Sequence, residues 1–228
     1  MNGSYAAIFD MDGVLVDTYR AHYRSWLAMA EPEGQSFSEA EFAQTFGRTS
    51  REIIATFWGR ERLSEAEIAA LDARKEAAFR QFIAADFPAM PGAQQLLDSL
   101  HQAGFALALG SSGPPENVDL VLDRLGARRL FSTIVTGMDV TRGKPDPQVF
   151  LIAAERLRMP PARCAVVEDA PPGVAAARAA GMASVGLTST GRTRESLAAA
   201  DLVVGTLGEL SAEVLRKLID RRGERSKK

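Results

Sequence analysis

Six short runs of aliphatic and β-branched residues stand out along the chain, at positions 5–9, 105–109, 133–135, 164–167, 183–187 and 202–204. Each is apolar throughout instead of alternating, which is the pattern of strands covered on both faces. Between most of them lie stretches with helical spacing: 93–103 ended by Gly104, 115–125 ended by Gly126, 147–158 stopped by Pro160, and 173–180 ended by Gly181. Glycine tolerates the left-handed residue that closes a helix, and proline cannot continue one, so both read as stop signals. Strand then helix, repeated, requires right-handed parallel crossovers and predicts an α/β doubly wound parallel sheet, Rossmann-like in its layers.

The interval 18–87 breaks this rhythm, because it reads as helix throughout with no strand-like run. Ser38 with Glu41, and Ser64 with Glu67, have the spacing of capping boxes ahead of apolar periodicity, and Gly47 and Gly59 punctuate the interval. The pattern predicts a small helical cap of four or five helices inserted after the first strand, entered near Val16 and left near residues 88–91. The expected domains are a core of residues 1–16 and 88–228 and a helical cap of residues 17–87. The charged tail 221–228 is expected to fray.

Composition narrows the class. With 228 residues and 46% hydrophobic content the chain can bury a sizeable core. The formal charge is −2 and the basic residues are scattered, so a footprint for nucleic acid is lacking. No apolar stretch approaches the ~20 residues a membrane span needs, and a β-like run begins within five residues without a basic and apolar leader. A cytoplasmic location and a monomer are the default expectations. Cys164 is the only cysteine, which excludes an intrachain disulfide; its apolar neighbours make it a buried strand residue instead of a nucleophile.

Candidate chemistry collects at the ends of strands. Asp10, Ser111, Lys144 and Asp169 follow four different predicted strands, and ligands of an open parallel sheet bind outside its carboxyl ends. Asp10 and Asp12 leave a hydrophobic strand together. As turn residues they would only shape a bend at Gly13, but an aspartate ionised at neutral pH can attack phosphorus without a base. The negative charge of the phosphate opposes that attack, so a cation is required. Asp12, two residues on, could give a proton to the leaving oxygen and later take one from an acceptor.

Glu168 and Asp169 form a second acidic pair, read either as a solvated loop or as a magnesium site. Mg²⁺ takes hard oxygen ligands and keeps several waters, so Asp169 and Asp10 with the Asp12 carbonyl would suffice, Glu168 binding directly or through water. Ser111 and Ser112 precede a helix opened by Pro114 and Pro115, where hydroxyls and free N–H groups either cap the helix or bind an anion. Lys144, in Gly143-Lys144-Pro145-Asp146-Pro147, is either a solvated loop lysine or a fixed positive charge for phosphate and Asp10.

Together, Asp10-x-Asp12-Gly13-x-Leu15, the Ser111 site, Gly143-Lys144-Pro145-Asp146-Pro147 and Glu168-Asp169-Ala170-Pro171-x-Gly173 resemble, in order and spacing, the four motifs of the haloacid dehalogenase superfamily. The resemblance implies a phosphoaspartyl intermediate on Asp10, Mg²⁺ as cofactor and a mobile cap. Dehalogenase members lack the second aspartate and the magnesium site, so Asp12 and Asp169 argue against dehalogenation. Within the superfamily the chain looks like the β-phosphoglucomutase and small sugar-phosphate phosphatase branch. Asp17-Thr18, His22 and Trp26 fall at the mutase's spacing, and Ser50-Arg51-Glu52 and Lys75 resemble its cap residues for substrate. Arg51 would hold a second phosphate and His22 would order a hydroxyl near Asp12. Read from the residues alone, Arg51 could instead pair with Glu52 or other acids on a solvated face, and His22 could merely flank the entrance. Trp26, Leu27 and Phe57 read as cap core.

The loop Ser111-Ser112-Gly113-Pro114-Pro115-Glu116-Asn117 departs from the mutase, lacking its lysine and adding an acid. That departure favours a phosphatase of a small phosphorylated metabolite, a sugar phosphate first of all; His22, Arg51 and Lys75 favour a mutase. Hydrolysis and mutation share their first half-reaction and differ in whether water or a sugar hydroxyl accepts the phosphoryl group. A third reading, an inactive phosphate-sensing or interaction protein, is disfavoured because Asp10, Asp12, Lys144 and Asp169 are all retained.

Overall fold

The structure, a computed structural model, describes residues 5–45, 48–59 and 62–225. Gly47 lies outside the described residues. In chain order the elements are β1 (Ala6–Phe9), α1 (Tyr19–Ala30), α2 (Glu39–Thr45), α3 (Ser50–Phe57), α4 (Glu65–Ala85), α5 (Ala93–Gln102), β2 (Ala106–Gly110), α6 (Pro115–Leu125), β3 (Thr133–Val135), α7 (Gln148–Arg156), β4 (Cys164–Glu168), α8 (Pro171–Ala179), β5 (Ala183–Leu187), β6 (Leu202–Val204) and α9 (Ala212–Arg225).

Among the described residues the six strands form one sheet of order β3-β2-β1-β4-β5-β6, and every pairing is parallel. β1, β2, β4 and β5 are buried almost end to end, as their unbroken apolar runs require. One layer of the core joins Ala6, Ile8, Ala108, Val135, Cys164 and Val166 of the sheet to Phe150 and Ala153 of α7 and Ala176 and Ala177 of α8. Cys164 is fully buried, and burial pushes its thiol up to about 12, which leaves it inert at neutral pH. Strand order reverses beside β1, which pairs with β2 on one side and β4 on the other, so the crevice outside these strands is the topological switch point.

Several element ends differ from the sequence pattern. α8 begins at Pro171 instead of Gly173, because prolines fit the first helical positions, whose N–H groups have no partner in the helix. α7 spans only Gln148–Arg156; Arg158 adopts a left-handed φ of 54° just beyond its end. β4 runs one residue further than expected, since Glu168 still pairs with Gly186. The segment expected to fray is helical through Arg225, and Arg222 there donates to both oxygens of Asp201 at 2.9 Å.

By internal contacts the chain divides into two compact units, Met1–Asp17 with Ala89–Lys228, and Thr18–Pro88. The second unit contains α1 to α4, with no strand among its described residues. Its core packs Trp26, Met29, Phe37, Phe42, Ile53, Ile54, Ile68 and Leu71, with Leu27 and Phe57 against them. Ser38 with Glu41 and Ser64 with Glu67 form the reciprocal bonds their spacing implies. Thr49 and Glu52 make a third capping box at the start of α3.

Candidate active site

Phe9 is in register with Val167, so the residues that follow them leave the sheet side by side. The Asp10 N–H donates to the Val167 carbonyl at 3.0 Å, holding the first residue after β1 against the carboxyl end of strand β4. Lys144 arrives from the connection between β3 and α7. That loop is fastened by Gln148, whose Oε1 accepts the N–H groups of Thr141 at 2.9 Å and Arg142 at 3.0 Å, and by an Arg142–Asp146 ion pair at 2.9 Å. Lys144 Nζ donates to Asp10 Oδ1 at 2.5 Å, Glu168 Oε1 at 2.7 Å and the Gly110 carbonyl at 3.3 Å, and lies 5.0 Å from the centre of the Phe150 ring. The ammonium is buried, so both ion pairs are shielded from water.

Glu168 is engaged at both oxygens: Oε1 accepts from Lys144 and Oε2 accepts the Ala170 N–H at 2.8 Å. Asp169 is 2% exposed, and its Oδ2 accepts from Thr190 Oγ1 at 2.8 Å. Gly13, at φ +77°, turns the chain just after Asp12, and any Cβ there would overlap the Asp169 carboxylate. Asp12 is half-buried and close enough that its charge raises the Asp10 carboxyl.

The electrostatics follow from this crowding. Burial pushes Asp10 up to about 7; Lys144 opposes the rise, while Glu168 and Asp12 add to it. Asp169 is pushed well up, first by burial and then by Glu168 and Asp10, with Thr190 and Arg192 opposing. Burial lowers the Lys144 ammonium, but Asp10 and Glu168 more than offset that and hold it protonated. A raised acid beside a firmly charged lysine looks contradictory until the charges are counted. Lys144 is shared between two carboxylates and a third stands alongside, so negative charge is in excess.

Asp10, Glu168 and Asp169 each offer an oxygen, and these atoms lie within 4.8 Å of one another. Three buried carboxylates against one lysine are the donor set and the charge surplus that suit a hard divalent cation. Lys144 and the Ala170 N–H engage both oxygens of Glu168, whereas Lys144 engages Oδ1 of Asp10 and Thr190 engages Oδ2 of Asp169.

Ser111 follows β2, next to β1, and is fully buried. Its Oγ accepts the Gly113 N–H at 3.0 Å and retains a proton to donate. The loop holding half-buried Ser112 packs on Gly137, whose N–H donates to the Gly113 carbonyl at 2.9 Å. The remaining candidates lie in the helical unit. Thr18 precedes α1 and is buried. Lys75 Nζ stands 2.8 Å from His22 Nδ1 and 2.8 Å from Glu76 Oε1, with the His22 ring stacked on Phe79 at 4.0 Å between centres. Arg51 pairs with Glu65 at 2.8 Å on an exposed face.

Ser189 and Thr190 escaped the sequence reading. Ser189 Oγ donates to the Gly13 carbonyl at 2.5 Å, and Thr190 to Asp169. Their signal was positional: they follow β5 as Asp10, Ser111 and Asp169 follow their own strands.

A sheet whose switch point gathers a lysine and three carboxylates is the site of a known class. The family of haloacid dehalogenase-like hydrolases matches residues 6–181, and the chain belongs to it. Its relatives include phosphatases and a phosphomutase. It is similar to the validoxylamine A 7'-phosphate phosphatase of Streptomyces hygroscopicus subsp. limoneus, at 34% identity over 90% of this chain and 94% of the relative. It is also similar to the β-phosphoglucomutase of Bacillus subtilis, at 34% identity over 93% of this chain and 94% of the relative. The crystal structure of a β-phosphoglucomutase from Clostridium difficile superposes with a TM-score of 0.85 at 28% identity, covering 95% of this chain and 97% of that one. No helix among the described residues is long and apolar enough to cross a membrane.

Proposed function

We propose that this protein is a magnesium-dependent phosphatase of a small phosphorylated metabolite, a sugar phosphate first of all, working through a phosphoaspartyl intermediate on Asp10. The observation that carries this reading is the contact of Lys144 with both Asp10 and Glu168 beside Asp169, at the ends of adjacent strands. Asp10 and Asp169, with the Asp12 main chain, would hold Mg²⁺, which neutralises phosphate charge when bound.

In the first step an Asp10 oxygen bonds to phosphorus as the ester oxygen departs, and Asp12 protonates that oxygen. In the second, Asp12 takes a proton from water, the water oxygen bonds to phosphorus, and the Asp10–phosphorus bond breaks to release inorganic phosphate. Lys144 holds Asp10 oriented and supplies a fixed positive charge from a buried position. Ser111 would donate to a phosphoryl oxygen, with Ser112 beside it. Thr18, His22, Lys75 and Arg51 would meet the rest of the substrate, the helical unit acting as a cap.

Similarity to phosphatases of phosphorylated metabolites supports the substrate class. A panel of sugar phosphates, phosphoglycolate and nucleotides assayed with Mg²⁺ for phosphate release tests it; no release from any member would count against it. Similarity to β-phosphoglucomutases and the His22–Lys75 contact favour a second reading, a phosphosugar mutase. Conversion of β-glucose 1-phosphate to glucose 6-phosphate without phosphate release would establish that reading instead.

A further inference from the structure

The loop after β5 ties two parts of the site together. Ser189 Oγ donates to the Gly13 carbonyl and Thr190 Oγ1 donates to Asp169 Oδ2, so consecutive residues hold the turn after Asp12 and the carboxylate packed on it. Gly13 can have no side chain because the Asp169 carboxylate fills that space. The Asp169 carboxylate is therefore packed against bare backbone at Gly13 and bonded to the Thr190 hydroxyl, both through Oδ2.

The Thr190 bond has a backbone penalty. Thr190 sits at φ +51°, a left-handed conformation that β-branched residues rarely adopt and glycine adopts readily. Such strain persists where the surroundings over-determine it, commonly at functional sites. Glycine would suit the backbone, but it would leave Asp169 Oδ2 without the Thr190 hydroxyl donor.

We infer that Thr190 is a positioning residue for cation binding: its hydroxyl occupies Asp169 Oδ2 and presents Oδ1 to the ion. The inference rests on the reading of Asp169 as a metal ligand. Outer partners of ligating carboxylates tune affinity without touching the metal, which is the role assigned here.

The test is calorimetric titration of Mg²⁺ into the metal-stripped full-length protein, with the melting temperature measured in parallel. Thr190→Val is expected to weaken Mg²⁺ binding about tenfold or more, and Thr190→Ser to return it to within about twofold of the parent. Thr190→Gly removes the hydroxyl and relieves the left-handed backbone, so it should weaken binding without lowering the metal-free melting temperature; it decides the matter if the valine variant does not fold. Parental affinity in the glycine variant overturns the inference. Asp169→Asn separates the two levels: if it loses Mg²⁺ affinity while Thr190→Gly does not, only the Thr190 role falls. Parental binding by Asp169→Asn removes the underlying reading as well.

Discussion

The Glu168 carboxylate fills the space into which a side chain on Gly173 would project, since a Cβ there would overlap Glu168 Oε1, Cδ and Cγ. The first turn of α8 thus presses on the acid that shares Lys144 with Asp10. Gly173→Ala is expected to displace Glu168, lower stability by about 1–3 kcal/mol and cut turnover about 100-fold. Melting temperature and kcat measure the two effects, and unaltered kcat would mean that Glu168 placement is irrelevant to the chemistry.

Lys144→Met removes the positive partner of two buried carboxylates. Breaking a buried ion pair from one side costs about 3–5 kcal/mol, because the remaining charges are uncompensated. The variant should be inactive and destabilised at neutral pH, and should recover stability in acid as the carboxylates take up protons. Denaturant unfolding at two pH values checks this; equal losses at both would contradict the charge account.

Asp10 also makes metal-free stability depend on pH. Its carboxyl, ordinarily at 3.8, is raised to about 7 in the folded protein, chiefly by burial. The folded state therefore keeps a proton that the unfolded chain has released. That contribution is fully present below the unfolded value and is lost as pH rises through the folded one, an effect on the order of a few kcal/mol. Raising pH from about 4 to about 7 should narrow the stability of the metal-free protein relative to Asp10→Asn. The same variant should fold and show no turnover, and residual activity in it would refute Asp10 as the nucleophile.

Arg51 separates structural from substrate roles. It and Glu65 are largely exposed, with side-chain exposures of 48% and 79%. Exposed pairs contribute about 0–1 kcal/mol, so Arg51→Ala should leave the melting temperature nearly unchanged. If Arg51 meets the substrate's distal group, KM rises while kcat holds. Steady-state kinetics on the best substrate of the panel decide this, and an unmoved KM takes Arg51 out of the substrate site.

Local pattern made much of this legible. The unbroken apolar runs at 164–167 and 183–187 could be stable only with both faces covered, which is where β4 and β5 lie. Ser64 and Glu67 announced the start of α4 because a capping box is a contact between residues three apart. The acids after β1 and β4 were visible as polar residues at the ends of apolar strands, and Lys144 through the Gly143-Lys144-Pro145-Asp146-Pro147 segment that carries it.

What tertiary structure alone decided is who pairs with whom. That Lys144 reaches Asp10, 134 residues away, as well as Glu168 follows from the Phe9–Val167 register, which no short window of sequence contains. Arg51 turned to Glu65, fourteen residues away, instead of its neighbour Glu52, whose carboxylate accepts the Thr49 N–H in a cap. Thr190 reached Asp169 across twenty-one residues because β5 lies beside β4. Elements form from burial along the chain, which periodicity records; charge and hydroxyl pairing forms between chain segments, and only the folded register brings those together.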